Sequence, residues 1–252
     1  MPPYRVRGLT SVSIAISLAA ICSSTTAASS SPGLAARAEV TAEGAKLELI
    51  ERTRPDGTLE RLFQRDAGQV LYRSAVTLRA GGFDVQILQG HPAQIGSFRV
   101  EGGQLEVRDA AGKPLWTETL KEPLCLPELF GEFVRAHWDR LSPGAAPLRC
   151  VTPIIKAKKT APLQWRRLPD LPDGERVVEL GPGSFGMRFF VIPTRLTFAA
   201  DGTRLLAQQG QLEAPPRVDG RAAYLRGAAR FTQTRTLADW PAQRFGGATV
   251  PP

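Results

Sequence analysis

Histidine is nearly missing from this chain: His91 and His137 are the only two. That scarcity removes most general-base arrangements, because imidazole is the commonest base at neutral pH. Neither histidine stands at paired ligand spacing with a cysteine, so a zinc site is not expected. His91 lies between Gly90 and Pro92, a turn, and His137 falls on the apolar face of a helical pattern. No Ser-His-Asp spacing can be built from them, which leaves a hydrolase of envelope material as the weakest of three function classes. Long apolar runs are also missing. The N-terminal apolar run, Val12 to Cys22, is 11 residues and carries no charge, whereas a spanning helix needs about 20. No repeat and no central Ser/Gly linker appear, so one domain is expected.

What the N-terminus does hold is an export signal. Arg5 and Arg7 precede the apolar run, and Thr25-x-Ala27 and Thr26-x-Ala28 then place small residues at cleavage positions. Residues 1–28 therefore read as a signal peptide cut near Ala27 or Ala28, with Ala36-x-Ala38 a remoter alternative. Cys22 follows the branched Ile21, a poor context for lipidation, and is discarded with the peptide. Residues 29–45 read as a flexible lead-in. The expected location is periplasmic or secreted.

The formal charge is +8, and +6 remains beyond residue 28, since that segment holds two arginines and no acid. In an exported protein this favours anionic surfaces over nucleic acid; the competing reading is a merely Arg-rich composition. Cys125 and Cys150 remain after processing. A helix of about 16 residues, about 24 Å long, and roughly nine extended residues that span up to about 30 Å let the chain climb and return. A disulfide worth about 3 kcal/mol is then feasible in an oxidising compartment; two buried free thiols are the alternative.

From residue 46 the grammar is that of an antiparallel meander. "AKLELIERT" alternates, with Leu47, Leu49 and Glu51 on one face; Pro55-Asp56-Gly57 turns the chain; "TLERLFQR" returns. Short alternating pieces continue to "KPLWTETL". Residues 126–141, "LPELFGEFVRAHWDRL", break the rhythm with apolar side chains at three-and-four spacing, Pro127 in the first turn and Ser142-Pro143-Gly144 as the stop. Strands resume, and Ala200-Asp201-Gly202 marks a further hairpin. The tail, 232–252, reads as irregular and frayed. The fold class is mainly β (α+β): a single strongly curved antiparallel sheet or half-barrel over 46–231, with one amphipathic helix on its concave face.

Two motifs invite chemistry. Gly181-x-Gly183-x-x-Gly186 matches the dinucleotide fingerprint, but Pro193 follows too soon for a crossover helix, and Asp201 serves the hairpin turn. We expect a turn there and no cofactor. Around Ser184 the nucleophile-elbow spacing fails, since Pro182 stands where glycine is required. In "IIKAKKTAPLQWRRL", Lys156, Lys158, Lys159, Arg166 and Arg167 surround Trp165. This spacing suits lipid head groups, or else a solvated strand face.

The texts "LPELFGEFVRAHWDRL" and "FFVIPTRLTFAADGTRLLAQQG" resemble an uncharacterised family of secreted proteobacterial proteins. In that family a segment like Phe133 to Leu141 precedes a strand, and a later strand–turn–strand ends in a glycine like Gly210. The resemblance spans 46–231, implies no activity, and does not include the cysteines. In outline the pattern is also similar to periplasmic lipoprotein carriers, whose curved sheet is plugged by a helix. That likeness is one of fold and carries no residues across. One helix is too little to fill so large a concave face, so a hollow able to take a lipid or other apolar small molecule is expected, lined by Phe130, Phe133, Trp138 and Trp165; the competing reading makes those four plain core. The function expected is therefore a non-catalytic envelope protein with an apolar ligand, the alternative a structural or interaction module.

Overall fold

The computed structural model describes residues 33–42, 44–65, 68–90, 95–189, 191–212 and 225–247. Fourteen strands occupy them in one sheet. The first eight are β1 (Gly33–Ala42), β2 (Ala45–Thr53), β3 (Leu59–Gln64), β4 (Val70–Arg79), β5 (Gly82–Gln89), β6 (Gly96–Glu101), β7 (Gln104–Asp109) and β8 (Pro114–Thr119). A helical crossing follows, then β9 (Leu148–Ile154), β10 (Lys159–Arg167), β11 (Arg176–Pro182), β12 (Thr194–Phe198), β13 (Leu205–Leu212) and β14 (Leu225–Gln233).

The order across the sheet is β8 back to β1, then β14 back to β9, every pair antiparallel. The chain is thus two meanders joined where its first and last strands meet. The break in the sheet falls between β8 and β9, and the sheet is curled: Thr160 on β10 donates its hydroxyl to Glu118 on β8 at 3.0 Å. A large twisted sheet with one apolar face curls for the reason a small one stays open, namely to bury that face.

Alternation decides which face is buried. Leu47, Leu49 and Glu51 of β2 point inward, as their spacing predicts. The turns also form as read. The amide N–H of Thr58 donates to Asp56 and that of Thr203 to Asp201, each at 2.9 Å, and these bonds hold both carboxyls below their usual range.

Three expectations are corrected. Residues 33–42 of the supposed lead-in are β1, in the middle of the sheet. Ala36, Ala38, Val40 and Ala42 are buried there while Arg37, Glu39 and Thr41 face out; the alternation is genuine, but alanine makes it faint. The tail does not fray over 235–247. It turns back from β14 and runs into the concave interior, where Leu237 and Phe245 are buried, and it closes with a 3-10 turn at Ala242–Phe245. The helix expected over 126–141 is three pieces: 3-10 Pro127–Leu129, α1 (Phe130–Ala136), and 3-10 Trp138–Arg140.

His137 ends the α-helix. Its backbone N–H bonds Val134 O at 3.2 Å, one residue short of α-helical reach. Its side-chain Nδ1 instead meets Phe133 O at 2.8 Å. A carbonyl only accepts, so Nδ1 carries the hydrogen, and the side chain replaces the backbone donor. Gly131 answers to packing: a Cβ there would stand 2.7 Å from Leu237 Cδ2. Cys125 and Cys150 are joined by a disulfide with Cα atoms 5.9 Å apart, which pins the start of the helical crossing to β9.

Candidate functional site: the interior and the charged rims

The concave interior is spanned by rings. Trp165 on β10 stacks on Phe133 of α1 at 6.0 Å, Phe133 meets Phe245 edge-on at 5.2 Å, and Phe245 reaches Phe83 on β5 at 5.8 Å. Trp240 packs on Phe83 and Phe245 beside them. One wall is therefore bridged to the other by side chains from the helix and the C-terminal segment. Of the four residues read as a ligand groove, Phe133 and Trp165 are fully buried, Phe130 is buried against Trp165 at 5.2 Å, and Trp138 is partly buried. Trp138 lies apart, against Phe198, with Arg167 and Arg176 over its ring. The first three belong to one continuous core in this state. The Trp165 indole N–H is buried with no hydrogen-bond partner among the described residues, a cost accepted for the packing.

Below the rings lies a polar layer. Arg235, from the segment after β14, bonds Glu51 of β2 at 2.7 Å and also Glu132 of α1. Arg61 on β3 lies 3.8 Å from Glu51 and donates to the carbonyl of Pro127 and, at 3.4 Å, to Gln208 of β13. The Tyr72 hydroxyl donates to Glu128. Burial pushes the Glu51 carboxyl up, but Arg235 and Arg61 outweigh it and hold the group below its ordinary value. Arg235 loses hydration too, yet Glu51 and Glu132 keep it charged more firmly than a free guanidinium. This layer ties helix, C-terminal segment and sheet together. The crevice it lines, between Glu51, Arg61, Glu132, Gln208 and Arg235, leaves about 20 Å³ to the centre of a water-sized sphere, room for about one water.

His137 is stacked on Phe133 at 4.4 Å with Phe245 at 5.8 Å. Burial lowers its pKa against the opposing hydrogen bond to Phe133 O, and Arg140 adds to the lowering. A ring so held is a core group, with Nδ1 already engaged. His91 lies outside the described residues. No group of three or more potential metal ligands occurs among the described residues.

The fingerprint glycines form no dinucleotide turn. β11 is antiparallel to both β10 and β12, and a short 3-10 turn, Phe185–Phe189, follows it. Of the three, Gly183 is demanded by close approach: a Cβ would stand 2.7 Å from the Pro162 carbonyl carbon.

The five basic residues read as one cluster do not form one. Lys158 and Lys159 are exposed at the β9–β10 turn, beside Lys156 in sequence. Arg166 lies on the convex face sharing Glu179 with Arg195, while Arg167 turns inward over Trp138 at 4.5 Å and pairs with Asp170. Strand alternation separates neighbours 166 and 167. The convex face repeats the Arg–acid–Arg arrangement: Arg54 and Arg73 share Glu60, and Arg79 and Arg99 share Asp84. Burial would raise Glu60 and Glu179, and their arginine partners bring both below the usual carboxylate value. No sequence signal short of the full register could have found these triplets, or the Glu51–Arg235 pair 184 positions apart.

No helix among the described residues is long and apolar enough to cross a membrane. The chain matches no protein-family model, no curated protein and no solved structure.

Proposed function

We propose that this chain is an exported, non-catalytic envelope protein that works as a filled β scaffold and acts through its surface. The observation that carries the reading is the ring bridge Trp165–Phe133–Phe245–Phe83, which occupies the hollow a carrier would keep for its cargo. The signal-like N-terminus and the Cys125–Cys150 disulfide fit an oxidising compartment outside the cytoplasm.

The second reading keeps the apolar ligand and has it replace the C-terminal segment. What favours it is how few backbone bonds hold that segment to the rest among the described residues: Leu237 N–H to Thr203 O and Leu124 N–H to Phe245 O, both 2.8 Å, the rest of its anchoring being carried by side chains. Mass spectrometry of solvent extracts from protein purified out of its own envelope separates the two. The scaffold reading expects no lipid at a fixed ratio to protein. One acyl lipid per chain, lost on substituting Trp240 or Phe245, would refute it in favour of the carrier.

A further inference from the structure

The turns that follow odd-numbered strands share one rim of the sheet, and those that follow even-numbered strands share the other, because every neighbour is antiparallel. Lysine is unevenly divided between the rims, although Asp109 also stands at the odd rim and Arg54 and Arg204 at the even one. Five of the six lysines, Lys46, Lys113, Lys156, Lys158 and Lys159, lie at the odd rim. Asp56, Asp170, Asp173, Glu175 and Asp201 sit in turns of the even rim. Lys46, Lys113, Lys158 and Lys159 are exposed and make no ion pair among the described residues, unlike the convex-face arginines described above. Lys158 occupies a left-handed position, φ 49°, which costs a side-chain-bearing residue about 1 kcal/mol over glycine.

The same rim carries the most exposed large apolar side chain among the described residues. Phe185 is 73% exposed, in the turn after β11, next to the β9–β10 turn; the N–H of Gly183 bonds Pro162 O at 3.0 Å and anchors that loop to β10. Exposed Arg188 lies over its ring at 5.5 Å. An aromatic side chain on a short loop, with a cation on its ring and the exposed Lys158 and Lys159 on the neighbouring turn, is chemically matched to the interface of an anionic bilayer: the ring enters the acyl boundary while the ammonium groups meet the head groups.

We propose that the odd-strand rim is a membrane-docking surface for anionic phospholipid, with Phe185 as its apolar tip and Lys158 and Lys159 of the neighbouring turn as its ammonium contacts. This rests on the reading of the chain as a scaffold that acts through its surface. An anionic bilayer is the one occupant because, among the described residues, the rim combines the exposed ring of Phe185 with dispersed ammonium groups. A purely polyanionic partner would use the charges and leave the ring idle.

The test is flotation of the full chain with vesicles of phosphatidylcholine alone or with phosphatidylglycerol added. Wild type and variants share the same N-terminus, so any difference between them belongs to the rim. Lys158→Gln with Lys159→Gln should weaken binding to the anionic vesicles about 30-fold, and Phe185→Ser about 10-fold, with melting unchanged in both. Lys121→Gln, at the even rim, should leave binding intact; a loss there equal to one lost at Lys158 means net charge alone is at work and overturns the proposal. Equal flotation of wild type and both rim variants also overturns it, as does binding of a soluble polyanion that Phe185→Ser leaves unchanged while the vesicles float without protein. None of these failures touches the filled-interior reading, which stands or falls on the lipid extracts.

Discussion

Phe245→Ala is the sharpest test of how this sheet is filled. The ring is fully buried, and its neighbours are Phe83, Phe133, His137 and Trp240 within 5.2 to 5.8 Å between centroids. Truncation removes the transfer free energy of the ring and leaves a hole, and such changes cost about 3–5 kcal/mol. The lower end applies if the segment collapses onto the gap. Here the neighbours come from β5, α1 and the chain itself, and the rigid sheet limits that collapse, so we expect about 4 kcal/mol. For a domain of this size that is about 12 °C in Tm. Guanidinium unfolding at neutral pH measures it directly, with the slope against denaturant reporting whether the native state has loosened. An apolar hole should also bind benzene and recover part of the loss. A cost under about 1 kcal/mol, with no benzene effect, would show that the C-terminal segment does not reside in the core. The bridged interior would then be wrong.

Other outcomes follow from the same structure. Arg235→Met leaves Glu51 and Glu132 buried without their cation and should cost about 3–5 kcal/mol, whereas adding Glu51→Gln and Glu132→Gln should recover much of it; a double-mutant cycle on urea unfolding checks the coupling. Reducing Cys125–Cys150, or replacing both by serine, should cost about 3 kcal/mol and be visible as a lower urea midpoint. His137 has a folded pKa below its unfolded 6.5, so the unfolded chain binds the extra proton; its contribution is complete above pH 6.5 and is lost as pH falls from there through the folded value. Glu51, Glu60 and Glu179 are depressed below 4.5 and act further down: their contribution is present above pH 4.5 and lost as pH falls through their folded values. His137→Gln should therefore flatten the stability profile just below pH 6.5 while leaving the acid limb below pH 4.5, and an unchanged profile would refute the assignment of the fall below pH 6.5 to the imidazole.

Much of the strand framework is legible without coordinates because it is local. Two-residue alternation in "AKLELIERT", the Asx turns at Asp56 and Asp201, and the apolar face from Leu126 to Val134 each depend on neighbours a few positions away. The disulfide is feasible from the sequence, with free thiols the alternative, although the expected helix of about 16 residues is only seven residues of α-helix with 3-10 turns on either side. Where local signals mislead, the reason is specific. β1 alternates with alanines too small to stand out. The 126–141 pattern is interrupted because the imidazole of His137 takes over the hydrogen bond to Phe133 O that the backbone would otherwise make.

What fills the hollow was not legible. Leu237, Trp240 and Phe245 follow no period, and the polar layer joins Glu51 to Arg235 and Arg61 to Gln208 across most of the chain. Likewise the lysines scatter through the text and gather only because antiparallel pairing sends alternate turns to one rim. By itself, then, the sequence determined most of the strands after β1, the residues that turn them and the alternation that selects the buried face, since these are set by backbone geometry over a few residues. Only the tertiary structure decided that β1 pairs with β14, that the C-terminal segment occupies the interior, and that most lysines gather at one rim, because such contacts depend on how distant segments share one enclosed volume.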